Sequence, residues 1–324
     1  MIRTAFQIAV LAVAIVLPVA SHAAVINPTR VLTENGITVL IVDRPSLPII
    51  TVSVLIKAGG AYDPDTKAGL SYMVAGMLDE GTTTRSPVQI AEQIEFIGGE
   101  LSTEGGEDFA SANLRVLKKD ADLGFTLLAD ILMNPKFDAK EVARVRDQLV
   151  GFLQSEKDEP GIIATKAFHE IVFRGHPYRR PANGDEKTVT KLTRQDLVEF
   201  HDRFYRPNRA IMAIVGDLRA AEALALVKKH YGKWAPRAFP LPTFPAPEPL
   251  PKPMLKLIDK DLTQATIVLG HVGIDRRNPD FYAVAVMNYI LGGGGFSSRL
   301  VNRIRDEQGL AYDVNSVFEA NVMP

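Results

Sequence analysis

Arg305 and Tyr312 lie seven residues apart near the end of the chain. A guanidinium fork and a phenol at that separation can together hold a peptide carbonyl or an oxyanion. Just before them Gly292, Gly293, Gly294 and Gly295 interrupt a helical pattern. Lacking Cβ atoms, they let backbone approach a ligand closely or swing as a hinge. Ser297 and Ser298 can cap the next helix, Leu300 and Ile304 share its apolar face, and Gly309 is placed to stop it. The plainer reading of the same residues is a flexible loop, a surface arginine and a half-buried tyrosine. A phosphate loop is disfavoured, because no Gly-Lys-Ser/Thr follows the glycines and no strand precedes them. His169 and His176 flank Glu170, a spacing that invites a metal, but His169 falls on an ordinary amphipathic helix. His201, His230 and His271 have no ligand spacing. Arg276-Arg277 reads as a solvated turn, and Asp306 and Glu307 stand too near Arg305 in sequence to be read as an acid/base pair.

The elements that must position these residues follow from the whole chain. A length of 324 residues suggests two domains, and a composition 46% hydrophobic and 23% charged supports an ordinary buried core. A formal net charge of −1 leaves no electrostatic footprint for nucleic acid or an anionic membrane. Without cysteine there can be no disulfide, thiolate metal ligand or thiol nucleophile. Residues 1–23 read as a secretory signal: Arg3 begins it, residues 8–17 are an unbroken apolar run, and Ser21-His22-Ala23 precedes a cut before Ala24. A retained membrane anchor is the alternative, although the run is shorter than the roughly 20 residues of a span. An exported chain without cysteine is expected in a bacterial periplasm.

Residues 31–42 read as strand, turn, strand about Asn35-Gly36, and residues 49–57 as a third strand ending in Ala58-Gly59-Gly60. Asp63-Pro64 marks the next turn. Over residues 67–78, Leu70, Met73, Val74, Met77 and Leu78 recur at amphipathic helical spacing, leaving Tyr72, Ala75, Gly76 and Asp79 on the opposite face. Ser86, Pro87 and Gln89 form a capping box; Ile90, Ile94 and Ile97 are the stripe of that helix. Strands are expected at 100–104 and 108–117, then helices at 120–133, from Asp138 toward Pro160, from Thr193 to 204 and at 220–231, with a buried strand at 209–215. Eight prolines in residues 236–253 exclude helix and central strand and give an extended linker. Beyond it the order repeats: strands at 254–259 and 265–272, a turn at Asn278-Pro279, and a helix at 281–291. This weak duplication divides the chain into a first domain over residues 24–235 and the start of a second over 254–324. About 70 residues are too few to close a second sheet by analogy with the roughly 210 before the linker, so the second unit reads as truncated.

Taken together, these stretches resemble the insulinase/pitrilysin family of zinc peptidases, which includes the mitochondrial processing peptidases. The matching pieces are the opening over residues 32–42, Ala58-Gly59-Gly60, residues 69–82, Gly175-His176-Pro177-Tyr178, residues 204–208 with Val215-Gly216-Asp217, and the run from Ser298-Arg299-Leu300 to Gly309-Leu310-Ala311-Tyr312. The family's zinc helix has the form GLAHFLEHMLFKGT. In this chain the two metal histidines become Tyr72 and Gly76, and the catalytic glutamate becomes Ala75. That chemistry needs imidazoles at i and i+4 on one zinc and a carboxylate to polarise its water. The third family ligand, a glutamate, falls near Gly151 or Phe152, with Asp147 and Glu156 the nearest carboxylates.

The resemblance implies an α+β fold of two homologous units, each an antiparallel-rich sheet with helices on one face, the second incomplete. It implies that Arg305 and Tyr312 match the pair that binds the substrate carbonyl across the active site. The glycines at 292–295 match a loop that contacts substrate in non-catalytic processing-peptidase subunits. The expectation is a subunit without its own metal or cofactor, inactive alone, working on an unfolded peptide beside a homologous partner that carries the zinc. The alternatives are a non-catalytic scaffold of the same fold, or a periplasmic peptide-binding module.

Overall fold

The computed structural model describes residues 27–240 and 242–322. The expected signal over residues 1–23 lies outside the described residues. One six-stranded sheet carries the fold: β1 (Thr29–Leu32), β2 (Thr38–Asp43), β3 (Ile49–Ile56), β4 (Glu100–Gly105), β5 (Ala110–Leu117) and β6 (Ala210–Gly216), in the spatial order β1-β2-β6-β3-β5-β4. Only β2 and β6 run parallel; the other neighbours are antiparallel. The turn at Asn35-Gly36 forms as expected, with Gly36 at φ 94°. Asn35 also donates its side-chain amide to the carbonyls of Tyr231 and Trp234, tying this hairpin to the segment just before the proline-rich stretch.

Strict alternation sets the sheet's inner face. Ile50, Val52, Val54 and Ile56 of β3, Met212 and Ile214 of β6, and Ala112, Leu114 and Val116 of β5 are all buried. The helices that cover this core are α1 (Leu70–Ala75), α2 (Pro87–Phe96), α3 (Ala121–Met133), α4 (Ala139–Ser155), α5 (Pro160–Val172), α6 (Glu186–Val189), α7 (Arg194–Phe204) and α8 (Ala220–Tyr231). Their starts obey local chemistry. Ser86 and Gln89 close a capping box on α2, Thr193 and Asp196 do so on α7, and the Asp138 carboxylate accepts from the Lys140 amide on α4. Pro160 opens α5 at its first position, where a missing N–H costs nothing.

The proline-rich stretch is extended, and it is also docked. Phe239 lies under the guanidinium groups of Arg203 and Arg209, at 5.3 and 4.9 Å, and meets Phe204 edge-on. Phe244 packs against Tyr62 and His176. After it come α9 (Phe281–Asn288) and the helical turns that lead to Arg305. The strands expected at 254–259 and 265–272 do not form: among the described residues no strand follows β6. These segments run extended over α5, where residues 249–273 line an apolar groove of 1240 Å3 with Ile163, Ala167 and Phe168. They have β-forming side chains but no neighbouring backbone to pair with, and Leu255, Leu257, Ile267 and Leu269 stay exposed.

Arg209 is the fastening point between sheet and linker. It is buried, donates through Nε to the carbonyl of Lys57, and lies over the rings of Tyr62, Phe204 and Phe239. Replacing it with methionine keeps the bulk but leaves that carbonyl unsatisfied. Arg209→Met is expected to lower unfolding free energy by about 2–3 kcal/mol. Urea unfolding followed by the fluorescence of Trp234 measures this; an unchanged midpoint would show the linker to be merely laid on the surface.

Candidate functional site

The site is built where β3 ends. Gly59 and Gly60 pass so close to the β4–β5 hairpin that a Cβ on Gly59 would stand 2.4 Å from the carbonyl oxygen of Glu107. The amides of Gly60 and Ala61 donate across to the carbonyls of Gly106 and Glu107. Asp63 then turns inward and accepts from the amides of Gly69 and Ser71, both at 2.9 Å, and from the Ser71 hydroxyl. Burial pushes its carboxyl up to about 7 against the pull of those donors. Gly69 takes φ 92°, where a side chain would be strained and would strike Asn183 and Val189. Asp63 and Gly69 together fix the start of α1.

Helix α1 is shorter than the expected 67–78, yet the apolar residues Leu70, Met73, Val74, Met77 and Leu78 are all buried as its spacing requires. The opposite face is less uniform than the periodicity indicates. Tyr72 is half-buried and Gly76 exposed, but Ala75 is wholly buried. The reason is that α1 is wedged between β4 and α7, so a second side of it is covered. Gly105, at the end of β4, makes that wedge possible: a Cβ there would meet the Cα of Tyr72 at 2.7 Å. Gly76 differs, since a Cβ on it would make only ordinary contact, 3.6 Å from the Tyr72 carbonyl oxygen.

The residues at this place do not fit a zinc ion. Ala75 and Gly76 carry no donor atom, and Tyr72 offers only a phenol. Of the carboxylates nearby, Glu80 pairs with Arg144 and Glu156 with Lys166 and Asn183, while Asp79 is pushed up by burial toward its neutral form. Gly151 and Phe152, where the third ligand was sought on α4, are exposed and bring no carboxylate. Among the described residues no three His, Cys, Asp or Glu side chains are grouped to hold a metal. His169 and His176 are committed to aromatic packing against Phe173, and His176 is buried and held below its ordinary pKa by that burial. His201 is half-buried, donates through Nε2 to the Leu132 carbonyl and stacks on Tyr205.

The Arg305 region forms from its own local signals. Helix α9 continues as a wide turn over Tyr289–Gly293, closed by the Gly294 amide on the Tyr289 carbonyl, so the expected break comes two residues later than Gly292. Gly292 is not a free hinge. The returning chain lies across it, and a Cβ there would stand 2.4 Å from the Ser316 nitrogen. Gly293 also belongs to the turn, and the chain bends at Gly294 and at Gly295, which has φ 60°. Ser298 caps the following helix by accepting from Val301, whereas Ser297 donates back to Gly294. Gly309 stops it at φ 63°, with the Gly309 and Leu310 amides on the carbonyls of Arg305 and Ile304. This stop folds Tyr312 back over Arg305: the guanidinium carbon is 5.1 Å from the Tyr312 ring and 5.1 Å from that of Phe296. Arg305 makes no ion pair among the described residues, and Tyr312 is 82% exposed, so the pair faces solvent. Phe296 went unremarked in the sequence because a single aromatic after glycines shows no period.

The two glycines beside Tyr72 give opposite expectations. Gly76→Ala places a methyl at ordinary van der Waals distance from its neighbours and at an ordinary φ, and should stabilise by about 0.4–1 kcal/mol. Gly105→Ala forces β4 from α1 and should destabilise by about 1–3 kcal/mol. Urea midpoints of the two variants check both; equal effects would refute the packing described.

The comparisons with known proteins agree with this geometry. The model described as Insulinase (Peptidase family M16) matches residues 38–186, and that described as Peptidase M16 inactive domain matches residues 191–322. An uncharacterized zinc protease of Mycobacterium tuberculosis is 30% identical over 93% of this chain and 69% of its own length. A probable mitochondrial-processing peptidase subunit beta of Arabidopsis thaliana is 28% identical over 84% of this chain and 52% of its own. The crystal structure of a peptidase M16 inactive domain from Pseudomonas fluorescens superposes with a TM-score of 0.80 at 28% identity, covering 91% of this chain and 71% of that one. The two family matches in tandem, on a fold that keeps the helix of the HxxEH motif but none of its donor side chains, show that this chain belongs to the M16 insulinase family of peptidases.

Proposed function

We propose that the chain is the non-zinc subunit of a two-subunit M16 metalloendopeptidase, exported to the periplasm and inactive alone. A homologous partner would contribute the two histidines and two glutamates. This chain would contribute the Arg305–Tyr312 pair to grip the scissile carbonyl, and the segment of Gly292, Gly293, Gly294 and Gly295 to meet an unfolded peptide. The observation that carries the reading is the contrast between the two ends: Tyr72, Ala75 and Gly76 offer no metal chemistry, while Arg305 is held between two rings and no acidic side chain among the described residues pairs with it. An oxyanion or carbonyl is what such a fork binds best.

A second reading, a peptide-binding module without a partner, is favoured by β4. Among the described residues it is an edge strand paired with β5 alone, and its other side offers the ladder groups to which an extended peptide can add.

Co-purification with a zinc-motif homologue from the same cell, followed by cleavage of a quenched fluorogenic peptide, separates the readings. The mixture should cleave and either chain alone should not; Arg305→Ala in this chain should slow the mixture by about 10²-fold, as expected for loss of an oxyanion donor. Hydrolysis by this chain alone, or an unchanged rate with Arg305→Ala, would overturn the proposal. Saturable peptide binding without cleavage in any mixture would support the second reading.

A further inference from the structure

The tip of the β4–β5 hairpin is pinned by a set of buried ionisable groups outside the Arg305 region. Glu107 sits at that tip. Its Oε1 accepts from the Ala182 amide at 3.0 Å, and its Oε2 is buried with no partner. Its own carbonyl accepts from Ala61. Glu107 thus ties together three segments, its carboxylate holding the 181–184 loop to the tip and its backbone carbonyl holding the 59–63 loop. The groups facing it are Asp108 on the tip itself, Asp63 on the first loop and Arg180 on the second. Around these, Arg180 donates to the Asp63 carbonyl and pairs with Asp65, Arg179 also pairs with Asp65, and the Tyr178 hydroxyl donates to Asp108. His176 and Tyr62 face Asp108, Arg209 faces Tyr62, and Tyr205, just past the end of α7, faces Asp63.

We propose that Glu107 is a proton-operated latch: protonated, it seats the hairpin tip on the two loops, and ionised, it lets the tip lift. The geometry gives the direction. The ionised form would put a charge on an oxygen that has lost water and gained no donor, beside two further carboxylates. Burial, reinforced by Asp108 and Asp63, pushes Glu107 up to about 7, against the single Ala182 amide and Arg180. A raised carboxyl is bound to its proton more tightly in the seated state than in the lifted one. Seating is therefore strongest at and below the ordinary glutamate range, weakens as pH rises toward 7, and is weakest above it. Asp63 titrates in the same sense, and His201, whose imidazole burial lowers to about 4, in the opposite one. Both remain in a Glu107→Gln variant, so the difference between the unsubstituted chain and that variant reports the part due to Glu107. Because the tip carries Gly105 against Tyr72, lifting it loosens the wall of α1 and the end of edge strand β4. The inference does not depend on the proposed function.

Two measurements on the whole chain test it. Carboxyl ¹³C NMR should show one glutamate titrating near pH 7, absent in Glu107→Gln. Hydrogen-exchange protection factors at the Ala61 and Ala182 amides should fall at least about tenfold between about pH 5.5 and about pH 8.5, and by at least about threefold less in Glu107→Gln, where Asp63 still titrates. A glutamate midpoint at its ordinary value, protection that does not change with pH, or a variant that keeps the full change would each overturn the latch. Should Glu107→Gln fail to fold, the titration and exchange of the unsubstituted chain decide the matter.

Discussion

A buried carboxylate collecting the free amides at the start of a very short helix is the interaction on which the site depends. Helix α1 spans Leu70–Ala75, less than two turns, and a helix of that length does not persist by its own hydrogen bonds. Asp63 supplies what the helix lacks, accepting the amides of Gly69 and Ser71 at its open end. The close passage of Gly59 by Glu107 and of Gly105 by Tyr72 then leaves α1 one place to lie. None of these contacts involves a metal. The scaffold that presents an HxxEH motif in catalytic relatives is therefore supported from outside the motif.

What could be read from the sequence divides by the range of the interaction responsible. Capping boxes at Ser86 and Thr193, the turn at Asn35-Gly36 and the stop at Gly309 are decided within a few residues, and all form. The alternation that buries Ile50, Val52 and Val54 is equally local in its signal. The β2–β6 pairing joins residues far apart along the chain, and no short-range pattern reveals it. The same holds for the role of Asp63. Its neighbour Pro64 identifies a turn, but the amides it serves come from a later segment that the turn alone does not place. Ala75 lies off the apolar stripe yet is buried, because helical periodicity describes one buried face, while a helix wedged between a strand and another helix has two.

The second half shows the limit from the other side. Residues 254–259 and 265–272 have the composition of strands, yet a strand exists only through hydrogen bonds to another strand. Here they lie extended along α5 with leucines and isoleucines exposed. Helix α9 and the helix carrying Arg305 need no such partner for their backbone bonds, and both form. The glycines between them combine two demands. Gly292 is required because the chain around Ser316 crosses it, and Gly295 because the backbone turns through positive φ. A run of glycines reads as a hinge, but half of it is a close-packed seat.

The arrangement of Arg305 bears on what it can bind. An arginine held by a carboxylate has spent its N–H donors and its charge on that partner. One held by aromatic rings is attracted through the ring quadrupoles and need not spend any donor. Phe296 and Tyr312 flank the guanidinium at equal distance, and no acidic side chain among the described residues pairs with it. Its side-chain entropy is thus reduced before a ligand arrives, while its directional hydrogen-bonding capacity is kept. Such restraint favours a planar, oxygen-bearing ligand over a random surface contact, because less ordering is left for binding to impose. It also explains why glycine rather than a larger residue precedes Phe296: Gly295 at φ 60° starts the turn that brings the ring to the guanidinium. The grip on an oxygen is built from backbone geometry and ring stacking within this one segment, independently of any metal chemistry at Tyr72 and Gly76.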